Sequence, residues 1–251
     1  MNRKDQDSQW KNLYKIGGIA AFLAGILFRK NWSAEFILLR TFGIVNCGPD
    51  TIPISAVDWF SLFQDNWFLG ILLFNFFDVV NYALVGLLFL ALYGKLSQFN
   101  NGLMLMAELL GFTGIILLFS SNQSLAMLNL SAQYATASTE AERASIIAAG
   151  KALLAIHNPG RLYQGTQIYL SYVFVPMAGL MMSILMLHDD SFGKKTSWSG
   201  IIGNTSLLTF PVVLILIPKW AVLPIPLAAP FLMAWHILSG MTLIKIGRDK
   251  S

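Results

Sequence analysis

Charged residues in this chain are concentrated between long apolar runs. The longest run extends from Trp67 to Gly94, 28 residues in which Asp78 is the only charged side chain. About 20 apolar residues at 1.5 Å each cross a hydrocarbon core of about 30 Å, so this run predicts a membrane-spanning helix. The same criterion predicts six spans, at 13–28, 67–92, 102–119, 168–187, 200–217 and 226–246. The first is short for a crossing. The predicted fold class is all-α: a polytopic transmembrane helix bundle in a single integral membrane domain. Two long connections, 31–66 and 120–166, are expected on the outer side.

Both connections carry helix signals of their own. Ser33–Leu39 has the pattern of a short amphipathic helix, and Ser55 is placed to cap a second one. Thr139-Glu140-Ala141-Glu142 is a capping box, in which the threonine hydroxyl and a glutamate carboxylate satisfy free backbone donors. Ile146, Ile147, Leu153, Leu154 and Ile156 then form an apolar helical face, and Asn158-Pro159-Gly160 ends it. Such helices serve either as packing scaffold or as a lid over the bundle.

Composition agrees with a bilayer as the main partner. Hydrophobic residues make up 55% of the chain and charged ones 12%, with a mean hydropathy of +0.61; soluble domains carry roughly 25% charge. The net charge of +4 and pI near 9.2 do not point to nucleic acid, because no basic patch with interleaved aromatics is present. The basic residues flank the spans instead. With both termini cytoplasmic, ten lysines and arginines fall inside and seven outside. Four of those seven lie in the long connections and Arg29 and Lys30 directly precede the first of them; long connections count less toward orientation. Trp10, Trp32, Trp59, Trp67, Trp198 and Trp220 fall at or beyond predicted span ends, as interfacial rings do; Trp235 lies well inside one. The expected location is the plasma membrane. One cysteine, Cys47, excludes an intramolecular disulfide and a CxxC motif. No phosphate loop, HExxH or GxSxG occurs, so no cofactor or catalytic constellation is indicated.

Polar residues within the spans supply the candidate chemistry. On an ideal helix Asn75, Asp78, Asn81 and Tyr82 fall within an arc of about 120°. Lipid offers no hydrogen bonds, so this stripe should face the bundle interior. It acts either as interhelical glue or as a site for a proton, a cation or a polar head group. Glu108 is a second intramembrane carboxylate, which either marks another level of one polar path or reaches cytoplasmic water or Lys95. His236 comes out near the Asp78 level by residue count. It either pairs with that carboxylate or is satisfied by a serine or a backbone carbonyl. Pro176 and Pro211 should kink their spans. The functional expectation is a pocket around Asp78 that binds or passes a small molecule, an ion or a lipid. The alternative is an accessory membrane protein whose outer helices contact a partner.

Several segments carry a family resemblance: Leu92-Tyr93-Gly94-Lys95-Leu96, Ser138-Thr139-Glu140-Ala141-Glu142-Arg143, the stretch Ala178–Leu187, and Phe192-Gly193-Lys194-Lys195-Thr196. Over about residues 67–247 the chain resembles an uncharacterised prokaryotic family of multi-pass membrane proteins, a domain of unknown function of the 4386 type. The resemblance implies a prokaryotic integral membrane protein and assigns no residue a role.

Overall fold

A computed structural model describes residues 3–27, 52–159, 161 and 163–248. The predicted helix at Ser33–Leu39 and the lone Cys47 lie outside the described residues. Within them the chain is helical, without strands. The helices are α1 (Arg3–Leu27), α2 (Ala56–Asp65), α3 (Trp67–Ile71), α4 (Phe77–Leu96), α5 (Asn101–Ser121), α6 (Ser124–Thr136), α7 (Glu140–Ile156), α8 (Thr166–Met186), α9 (Lys194–Leu216) and α10 (Pro224–Arg248). A wide π turn, Leu72–Phe76, joins α3 to α4, and a 3₁₀ turn, Pro218–Trp220, precedes α10.

Among the described residues, five stretches are long and apolar enough to cross a membrane: Trp67–Leu96, Asn101–Thr136, Thr166–Met186, Lys194–Leu216 and Pro218–Arg248. Only 33–44% of each apolar window is buried inside the protein. A soluble helix buries its apolar residues and exposes its polar ones; here large apolar side chains face outward, and the protein is a multi-pass membrane protein. Of the six predicted spans, α1 alone falls outside this set. Its first turns carry Arg3, Lys4, Asp5 and Asp7, which leaves only a short apolar portion.

The chain divides into two compact units. The first comprises Met1–Asn31, Val80–Ile116 and Leu170–Ser251. It contains α1, most of α4 and α5, and α8 to α10, around a core that includes Tyr14, Leu88, Phe89, Leu92, Met104, Met182 and Trp235. In α1 the small residues Gly17, Gly18, Ala21, Ala24 and Gly25 are buried, while Ile16, Ile19, Phe22, Leu23 and Ile26 are exposed. Gly18 and Gly240 let the backbones of α1 and α10 meet, for a Cβ on Gly240 would lie 2.6 Å from the Gly18 carbonyl oxygen. Close backbone approach through small residues is how membrane helices associate, because apolar burial drives nothing between them in lipid. On α9, Gly203 likewise seats Leu232 of α10, whose Cγ is 2.8 Å from the position of an added Cβ.

The second unit comprises Trp32–Val79 and Leu117–Tyr169. Its described core joins Trp59, Phe60 and Phe63 of α2 to Phe74, Met127, Ile146 and Leu154. Ser55 caps α2 as the sequence predicts: the Asp58 amide donates to Ser55 Oγ at 3.2 Å, and the serine hydroxyl donates to Asp58 Oδ2 at 2.6 Å. Thr139 caps α7 by accepting from the Glu142 amide at 3.2 Å. The second half of that box is shifted by one residue, because the Glu142 carboxylate accepts from the Ser138 amide at 3.0 Å. Helix α7 ends at Ile156, before Asn158-Pro159.

The largest departure from the sequence pattern lies in the longest apolar run. Rather than one helix over 67–92, the chain breaks between α3 and α4. Phe74 (φ −83°, ψ 40°) and Asn75 (φ 76°, ψ 24°) leave helical geometry. Asn75 is the only non-glycine residue with positive φ among those described. Asparagine tolerates the left-handed region better than other side chains with a Cβ. The Phe74 carbonyl, displaced from the ladder, accepts from Asn122 Nδ2 at 3.3 Å, and the Phe74 ring packs edge-on against Trp59 with centroids 4.7 Å apart.

Candidate functional site

Four helices of the first unit line a partly open cavity of about 30 Å³. Helix α4 contributes Asn81 and Tyr82, α8 contributes Val175 and Pro176, α9 contributes Asn204, and α10 contributes Leu232, Trp235 and His236. Two polar wall groups, His236 and Asn204, are held by carbonyls of their own helices. His236 Nδ1 lies 2.7 Å from the Leu232 carbonyl one turn earlier. A carbonyl only accepts, so Nδ1 donates, and in the neutral ring Nε2 carries the lone pair. Asn204 Nδ2 donates to the Gly200 carbonyl at 2.8 Å. Its amide fits because Gly179 stands opposite: a Cβ there would lie 2.5 Å from Asn204 Oδ1. The Trp235 ring meets the His236 ring edge-on, centroids 4.9 Å apart. Asn81 Oδ1 and Trp235 Nε1 are buried and make no hydrogen bond within the protein.

The space is of water size. One water needs roughly 10–15 Å³ on this measure and two to four polar partners. Among the lining residues, Asn81 carries an unbonded acceptor, Trp235 an unbonded donor and His236 an imidazole. Organic ligand sites run to roughly 300–1,000 Å³, far above this volume. Pro176 lies in the wall; without an N–H it cannot close the helical bond to the Tyr172 carbonyl.

The sequence-derived candidates divide among three places. Asn81, Tyr82 and His236 come together in the cavity. Asn75 and Asp78 belong to the second unit, and Asp78 is not among the cavity residues. The break at Asn75 takes that residue off the ideal-helix stripe, whereas Asp78, Asn81 and Tyr82 keep helical register within α4. His236 takes the backbone-carbonyl alternative. Glu108 on α5 lies outside the cavity lining. Its two carboxyl oxygens are buried without a hydrogen bond, so it reaches neither open solvent nor a bond with Lys95. Asn204 and Trp235 complete the site and were not among the sequence candidates. The signal for Asn204 is the one that picked out Asn81, an amide inside an apolar span.

His157 forms a second polar locus, in the second unit at the end of α7. Its ring is buried, stacked edge-on against Phe74 at 5.8 Å, and neither ring nitrogen has a hydrogen-bond partner. Burial pulls the imidazole from the usual 6.5 down to about 4, with the Asp78 carboxylate opposing part of that shift. Nothing in the local sequence signals this environment, because it is built by Phe74 from a segment far along the chain.

No protein-family model, curated protein or solved structure matches this chain. The chemistry of the site therefore rests on its geometry.

The His157 environment implies a pH dependence with a definite sign. The folded ring binds its proton near pH 4 and the unfolded one near 6.5, so between these values the unfolded state holds more protons. Stability rises with pH across that window and is lost as pH falls through it. Denaturation in micelles at pH 4 and at pH 7 is expected to show a loss on the order of 1–3 kcal/mol at the lower pH. His157→Gln should flatten that difference; an unchanged difference would assign the dependence to other groups.

Proposed function

We propose that this protein binds and passes a water-sized polar species, above all protons carried on water, through a site formed by Asn81, Tyr82, Asn204 and His236. The observation that carries this reading is the cavity itself: about 30 Å³, walled from four helices, with Asn81 Oδ1 buried and unbonded. A polar space of that size inside apolar spans is favourable when water or its ions occupy it. Imidazole and phenol groups at the wall can exchange protons with such water. An organic substrate does not fit. The pocket proposed from sequence thus moves from Asp78 to Asn81 and His236.

An accessory, structural role is the second reading, and one observation favours it. Asn204 and His236 both bond backward along their own helices, as polar groups do when they only satisfy the backbone. The two readings separate in sealed vesicles loaded with a pH-sensitive dye. Under an imposed pH gradient the wild-type protein is expected to pass protons faster than empty vesicles. Asn81→Leu, which fills the cavity with methyl groups, should return the rate to the empty-vesicle level. Wild-type vesicles that behave like empty ones, while still responding to an added protonophore, would leave the accessory reading.

We also propose that α1 is a sixth span, that both termini are cytoplasmic and that the membrane is the plasma membrane of a prokaryote. The inverted burial of α1 supports the first point: small residues inward, Ile16, Ile19 and Ile26 outward. Gly247 of α10 packs on Lys15 and on the Lys11 carbonyl, and Gly94 packs on Trp10. These contacts gather Lys11, Lys15, Lys95, Lys245 and Arg248 at one end, as the positive-inside rule expects. The prokaryotic source, like family membership, rests on the motif resemblance alone. With six spans, epitope tags at the two termini are accessible from the same face of the membrane; accessibility from opposite faces would remove α1 from the set.

A further inference from the structure

Phe22 of α1 and Met241, Ile244, Lys245 and Arg248 of α10 line an open groove of about 560 Å³ on the surface of the first unit. The groove is chemically graded. Phe22 and Met241 are exposed apolar side chains at 42% and 57%. Lys245 and Arg248 stand exposed at the other end, in the last turn of α10. Helix α10 contains no acidic residue over Pro224–Arg248; in the sequence Arg248 is followed by Asp249 and Lys250, whose charges cancel. Lys15 adds a third cation beside this end, its stem packed on Gly247.

We propose that this groove is a binding site for an anionic phospholipid. Its acyl chain would lie along Phe22, Met241 and Ile244, and its phosphate would be held by Lys245 and Arg248. The apolar part holds a chain by van der Waals packing alone, because the chain comes from hydrocarbon and gains nothing by leaving water; selection therefore falls to the head group. The two cations sit where a helix leaves the hydrocarbon for the head-group layer, and basic pockets between spans at that level select anionic head groups. An arginine offers paired donors to phosphate oxygens, and a lysine adds a point charge. Charge complementarity therefore singles out the occupant, because a zwitterionic lipid brings its own ammonium against Lys245 and Arg248. Lys245 and Arg248 also complement the negative end of the α10 dipole, so the test must read lipid selectivity rather than stability alone. The inference rests on the lipid-facing surface of α10 and α1 and is independent of proton passage.

The direct experiment is native mass spectrometry of the full-length protein, extracted in mild detergent and offered equal amounts of phosphatidylglycerol and phosphatidylcholine with identical chains. One phosphatidylglycerol is expected to be retained preferentially, by roughly fivefold for each engaged basic residue. The double substitution Lys245→Gln and Arg248→Gln should bring the preference to near parity. Equal retention of the two lipids by the wild type would overturn the proposal, whether or not the double variant folds. So would undiminished preference in a folded double variant. A third arm uses glycerol phosphate in place of lipid: displacement of phosphatidylglycerol at equal concentration would show a bare phosphate site and also overturn the proposal. Failure of proton flux with lipid selectivity intact would count against the cavity reading alone.

Discussion

Hydrocarbon gives a helix neither hydrogen bonds nor a hydrophobic push toward its neighbours. What remains is close packing, and the first unit is organised by it. Gly18 and Gly240 bring α1 and α10 to backbone contact, and Gly203 receives Leu232. Where small residues face inward, bulky ones must face outward, and so Leu109, Ile116 and Ile215 stand exposed. The same constraint fixes the treatment of polar groups. Asn204 and His236 turn to carbonyls of their own helices, because no solvent is present to receive them. Asn81 Oδ1 finds no donor, and beside it lies a space of water size.

The break at Asn75 shows the constraint from the other side. Helical geometry ends there, which frees a carbonyl that lipid cannot satisfy. The second unit answers with Asn122, whose amide donates to the Phe74 carbonyl. Trp59, Phe63 and His157 close around the Phe74 ring. Irregular backbone at this point is thus covered by protein. His157 accompanies that cover as a buried ring with both nitrogens unbonded, and its low proton affinity follows from burial.

Much of this organisation is legible in the residues. Long apolar runs locate α5, α8, α9 and α10 to within a few residues, except that α9 begins six residues before its predicted span, at Lys194. Capping signals locate α2 and α7 because their hydrogen bonds are local. The association of Asn81, Tyr82 and His236 was reachable by counting depth along each helix. The polar face does not extend to Asn75, since a left-handed residue inside an apolar run leaves no mark in the hydropathy pattern; Asp78 keeps register with Asn81 on α4 but does not line the cavity. Asn204 was visible by the rule that found Asn81. His157 was not, because its surroundings come from Phe74, more than eighty positions away in sequence.

Large apolar faces turned to hydrocarbon are the premise on which the cavity, the groove and the helix break all depend. Spin labels placed singly along α5 in vesicles, with Cys47 replaced by serine, test it most directly. At Leu105, Leu109 and Ile116 relaxation by oxygen should be high and relaxation by a water-soluble nickel chelate low. At Ala107, Gly111 and Leu118 both should be low. Free access of the chelate to Leu109 and Ile116 would place that face in water and contradict the account.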